Sequence, residues 1–122
     1  MSVDVNQFVG VWQLVRAFND GIPTQEDIMS RFQFHVYPDH VKVVVEDLTV
    51  LMESESTIDG STDPAHSTTH MPDGSVILGI IKMEQGQMVS CVAAPGAPRP
   101  TEFASPAGAG LSLRYFDRVR DL

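Results

Sequence analysis

His66 and His70 stand four residues apart with Thr68 between them, and their side chains are the most chemically open in this chain. An imidazole titrates near neutrality, so in a dry cavity the pair could act as general acid and base. They could also orient a ligand by hydrogen bonds, or sit on a solvated outer face with no such role. Thr68, Thr69 and the following Pro72 favour a strand over a helix here. On a strand, residues four apart share a face but lie about 13 Å from each other at roughly 3.3 Å per residue. They cannot hold one metal ion between them. A metal would need His35 or His40 to converge with one of them, and no metal site is expected.

Other reactive groups carry weaker signals. Glu53 and Glu55 flank Ser54 and share a strand face. Facing inward, one could be a general base with a raised pKa. Facing outward, they are solvated charges, and Met52, Ser54 and Ser56 point inward instead; carboxylates are rarely buried unpaired. Cys91 lies among Val89, Val92 and Ala93 without an electropositive neighbour in sequence, which describes a buried, inert thiol. Met52, Met71, Met83 and Met88 all fall on strand-like segments, where methionine either lines an adaptable cavity or fills a core. Arg99 and Glu102 suit either a pair holding a loop in shape or a gate over an opening. No Gly-rich phosphate loop, Cys-x-x-Cys pair or nucleophile elbow occurs, so no cofactor is expected.

Period-two patterning supplies the elements that must position these groups. Strands are expected over 8–18, 31–37, 41–46, 50–58, 65–71, 76–83, 87–93 and 111–119. Trp12, Leu14 and Phe18 would share one face of the first, and Phe32, Phe34 and Val36 one face of the second. Turn signals separate them: Asn19-Asp20-Gly21, Pro38-Asp39, Asp59-Gly60, Pro72-Asp73-Gly74 and Gln85-Gly86. Residues 24–30 read as a short helix capped by Thr24, with Glu26 and Asp27 in its first turn. Residues 93–110 contain four prolines and three glycines, which rules out a regular strand and marks a long functional or covering loop that Phe103 would anchor. Eight strands with short connections suit a small up-and-down barrel.

Composition bounds the rest. The 122 residues suit one domain, 1–122. Sixteen acidic residues against eight Lys and Arg give a net charge of −8, which argues against nucleic acid and anionic membrane as partners. A single cysteine and an N-terminus without basic and apolar blocks fit a cytoplasmic protein. Val76–Ile81 is the longest apolar run and is too short to span a bilayer. That run and Val43-Val44-Val45 are apolar on both faces, so part of the outer wall should be covered, and a homodimer through it is expected.

Phe8-Val9-Gly10-Val11-Trp12-Gln13-Leu14-Val15, followed by Asp20-Gly21, resembles the opening of lipocalin-like (calycin) domains. The stretch from Leu78-Gly79-Ile80 to Pro95-Gly96-Ala97-Pro98-Arg99-Pro100-Thr101-Glu102-Phe103 resembles a small bacterial domain family first noted in planctomycetes, which carries no established activity. The resemblance implies an eight-stranded antiparallel barrel. It also implies that Trp12 packs across the closed end under an arginine of the last strand, Arg118 rather than Arg114 or Arg120. The chain departs from that family at the fifth strand, where His66, Thr68 and His70 replace a mostly apolar face.

The expectation is therefore an all-β, eight-stranded antiparallel lipocalin-like barrel with one short helix near its N-terminus. Its interior would bind a mostly apolar small molecule through Leu14, Phe18, Phe32, Phe34, Met52, Met88 and Leu113. Arg16, Ser54, Thr68, Ser90, His66 and His70 would supply the polar contacts. The alternatives are a cofactor-free cyclase or isomerase using His66 and His70 in the same cavity, and an interaction module whose core is filled.

Overall fold

The computed structural model describes residues 3–45 and 49–122. A 3-10 turn, Val5–Phe8, leads into β1 (Gly10–Asn19), β2 (Ile22–Pro23), α1 (Glu26–Met29), β3 (Phe32–Val36), β4 (His40–Val45) and β5 (Val50–Asp59). Then follow β6 (Ala65–His70), β7 (Val76–Glu84), β8 (Gln87–Ala93) and β9 (Leu111–Arg120). Every pairing between neighbouring strands is antiparallel, and β9 returns to pair with β1, closing eight strands into a barrel. The two-residue β2 lies outside the ring against the end of β1. The expected strands are present within a residue or two at each end; Glu46, expected to end the third, lies outside the described residues. Thr24 does not cap α1: Gln25 precedes the helix, and the Thr24 hydroxyl accepts from Asn19 Nδ2 at 3.0 Å instead.

One end of the barrel is sealed. Phe8 and Trp12 are fully buried, and Trp12 Nε1 donates to the Phe8 carbonyl at 3.0 Å. The Arg118 guanidinium lies 4.3 Å from the Trp12 ring centroid and donates to the carbonyls of Val9 (3.0 Å) and Gln7 (2.6 Å). Gly10 makes room for it. A Cβ at position 10 would sit 2.5 Å from Arg118 Nη1, and the φ of +153° is one that side chains rarely adopt. The Gly-x-Trp spacing thus seats the cation on the ring.

Part of the apolar outer wall is covered from within the chain. Ile80, Val89, Cys91 and Leu113 form a buried cluster on the outside of the barrel, packed against Phe18, Phe103, Leu111 and Tyr115. Phe103 comes from the proline-rich loop, so the chain's own loop covers the part of this wall made by β7, β8 and β9. Hydrogen bonds fix the loop along its length: Gly96 N to the Val76 carbonyl (3.0 Å), Cys91 Sγ to the Ala104 carbonyl (3.4 Å) and Gly21 N to Ser105 Oγ (3.0 Å). Arg99 does not turn to Glu102; its Nη1 donates to the carbonyls of Ser67 (2.6 Å) and Gly79 (2.7 Å), stapling the loop to β6 and β7. Lys82 Nζ caps the Phe103 ring at 4.4 Å.

Phe103→Ala should therefore lower stability by about 2 kcal/mol, less than for a fully buried phenylalanine because the ring is only partly enclosed. The uncovered wall should then associate, and light scattering should report a mass above that of one chain. An unchanged melting point and mass would contradict the covering role.

Candidate functional site

The side chains of successive strand residues alternate between the two faces of the barrel, so a single residue's placement fixes a strand's phase. The interior holds a cavity of about 270 Å³. Its apolar lining includes Phe34, Val43, Met52, Met71, Met88 and Phe116. Phe34 and Phe116 meet edge to face at 5.0 Å. Ser56, Ser67, Thr69 and Ser90 bring hydroxyls to the same space, with Ser56 Oγ 3.0 Å from Thr69 Oγ1. The interior is hollow, which removes the premise of a filled core.

Arg114 projects into this lining from β9. Among the described residues its guanidinium makes no hydrogen bond or ion pair, and its Cζ lies 5.7 Å from the Phe34 ring centroid. Burial pushes its pKa below the ordinary arginine value, but arginine keeps its charge in proteins. Arg114 is half-buried, and its unpartnered nitrogens keep contact with solvent through the cavity. Ser90 is the cross-strand neighbour of Arg114 in the β8–β9 register.

A second chamber of about 340 Å³ lies beneath α1, lined by Leu14, Ala17, Asn19, Thr24, Ile28, Met29 and Phe32. Phe34, Val43, Met52 and Arg114 line both chambers, so the two meet at that partition. Gln13 Nε2 donates to the carbonyls of Met29 (3.1 Å) and Phe32 (3.0 Å) and holds the helical segment over this end.

Of the residues expected to line the interior, Phe34, Met52, Met88 and Ser90 line the inner cavity, and Leu14 and Phe32 the chamber under α1. Ser54 is buried and gives its hydroxyl to Met71 Sδ at 3.8 Å. The rest are elsewhere. His66, Thr68 and His70 point outward, because fully buried Ala65 sets the phase of β6 and Ser67 and Thr69 take the inner positions. Thr68 Oγ1 accepts from Arg99 Nη2 at 3.3 Å on the outside. A β-bulge between Leu14 and Arg16 shifts the phase of β1, so Leu14 and Ala17 face in while Arg16 and Phe18 face out. Arg16 there lies 5.1 Å from the Phe18 ring and 5.2 Å from Tyr115. Leu113 belongs to the outer cluster under the loop, and its neighbour Arg114 takes the inner position.

The remaining titratable groups lie outside the cavity. Glu53 faces out, 3.5 Å from Lys42 Nζ and 3.8 Å from His40 Nε2. Burial, with Arg120 and Lys42 nearby, lowers the pKa of His35, whose Nε2 is buried without a partner. Burial raises the pKa of Cys91 and keeps it a protonated thiol. Among the described residues no three His, Cys, Asp or Glu side chains gather as metal ligands would. No helix among them is long and apolar enough to cross a membrane.

Sequence reasoning passed over Arg114, yet a signal for it existed. If Arg118 covers Trp12 at the barrel floor, period-two alternation puts Phe116 and Arg114 on the same inner face.

No family model matches the chain, and no curated protein matches it. Among solved structures it is similar to the crystal structure of a point mutant of the fluorescent protein UnaG, with 14% identity over 97% of this chain and 100% of that one, at a TM-score of 0.53. A likeness at that identity is one of fold, and together with the closed eight-stranded ring it gives this chain a lipocalin-like antiparallel β-barrel architecture.

Proposed function

We propose that the barrel binds a small molecule with an apolar body and one anionic group. The observation that carries this reading is Arg114: a cation without a carboxylate partner, aimed into a space otherwise lined by apolar side chains and hydroxyls. An anionic ligand would accept from the guanidinium in the fork geometry suited to carboxylate, sulfonate or phosphate. The UnaG-like architecture supports a barrel with a usable inside. The cyclase or isomerase alternative drew on His66 and His70, which face outward, and the ionisable group lining the inner cavity is a guanidinium, a poor proton shuttle.

Titration calorimetry with an alkyl carboxylic acid and its methyl ester tests the reading. The acid should bind at least about tenfold more tightly, since a charge-assisted hydrogen bond contributes roughly 1.5–3 kcal/mol. Equal affinity for acid and ester would overturn it.

A further inference from the structure

The register around Arg114 says where along the ligand the anion should lie. Its two cross-strand neighbours are Ala17 on β1 and Ser90 on β8. Ala17 lines the chamber under α1, whereas Ser90 lines the inner cavity. The cation therefore stands at the junction of two chambers of similar size, about 270 and 340 Å³, and not at the blind end of either. A straight amphiphile with its charge at one end can lay its tail in one chamber only and leaves the other to water. An amphiphile with its charge between two apolar arms fills both.

Building on the anion-binding reading, we infer that the ligand is forked, with its acidic group mid-length against Arg114, one apolar arm in the inner cavity and the other beneath α1. The polar groups support this division. Asn19 and Thr24 line the outer chamber as well, so the outer arm can end in a weakly polar group, while Ile28 is 44% exposed and leaves that arm close to solvent.

The test compares two isomers with the same atoms: tetradecanoic acid and the α-branched acid carrying two hexyl arms on the carbon next to the carboxyl. Calorimetry on the wild-type chain should favour the branched acid by about tenfold or more, the equivalent of two methylenes kept out of water. Ala17→Leu, which narrows the outer chamber beside Arg114, should remove that advantage. If the straight acid binds as well as the branched one, the forked ligand is wrong and the anion site stands. If neither acid binds, both readings fall. A branched-acid advantage that survives Ala17→Leu would also overturn the two-chamber assignment; should that variant fail to fold, the wild-type isomer ratio decides.

Discussion

Arg114→Met should yield a barrel that is more stable than the wild type and binds anions worse. The two effects have one cause. The half-buried guanidinium lines the cavity beside the Phe34 ring, with no carboxylate partner among the described residues. Replacing buried ionic groups by well-packed apolar ones commonly stabilises proteins by about 1–4 kcal/mol, and methionine is an unbranched side chain that fits irregular gaps. Because Arg114 is half-buried, the gain is expected to fall below that range, read as a higher urea midpoint with an unchanged slope. An anionic ligand, by contrast, should lose about 10- to 100-fold in affinity with its charge-assisted hydrogen bonds. An arginine that held the fold together would behave oppositely and lower the urea midpoint when removed. Opposite signs in stability and affinity are the mark of a group retained for binding. Arg114→Lys should fall between, because a point charge replaces a planar fork.

The largest loss of stability should come from Trp12→Ala. The indole is fully buried beside Phe8, satisfies its Nε1–H on the Phe8 carbonyl, and carries the Arg118 guanidinium on its face. Truncation opens a cavity in the sealed end and costs about 3–5 kcal/mol by the usual large-to-small scale. The stacking of Arg118 is worth roughly another 1 kcal/mol. Against a typical total of about 5–15 kcal/mol, this leaves a marginal fold, visible as a much reduced urea midpoint. Trp12→Phe keeps a ring under Arg118 and loses chiefly the Nε1 hydrogen bond, so it should cost about 1–2 kcal/mol. A loss from Trp12→Ala no greater than that from Trp12→Phe would contradict the description of the floor.

The barrel was legible because strand alternation and turn residues are local. Asp59-Gly60 ends β5, Pro72-Asp73-Gly74 and Gln85-Gly86 fall between strands, and the Gly10-Val11-Trp12 spacing located the floor. The phase of individual strands was harder to read, for three physical reasons. The bulge after Leu14 reverses the faces of β1 within one strand, and nothing in Val15 announces it. The loop over the outer wall makes Ile80, Cys91 and Leu113 buried on the outside, so apolar no longer means inward. That same inversion turned Arg114 inside. On β6 both faces are polar, with histidines and a threonine on one and Ser67 and Thr69 on the other, and only buried Ala65 decides between them. The candidate site was therefore half visible. Phe34, Met52, Met88 and Ser90 followed from alternation within their own strands, whereas Arg114 followed only from counting back along β9 from Arg118 at the floor.

The most direct test of the central claim is a double-mutant cycle in which the ligand's charge is one of the two changes: acid and methyl ester, each titrated into wild type and Arg114→Met. The wild type should prefer the acid by about tenfold or more, and the variant should show no preference, giving a coupling of at least about 1.4 kcal/mol. A preference for the acid that persists undiminished in Arg114→Met would place the anion elsewhere and contradict the account.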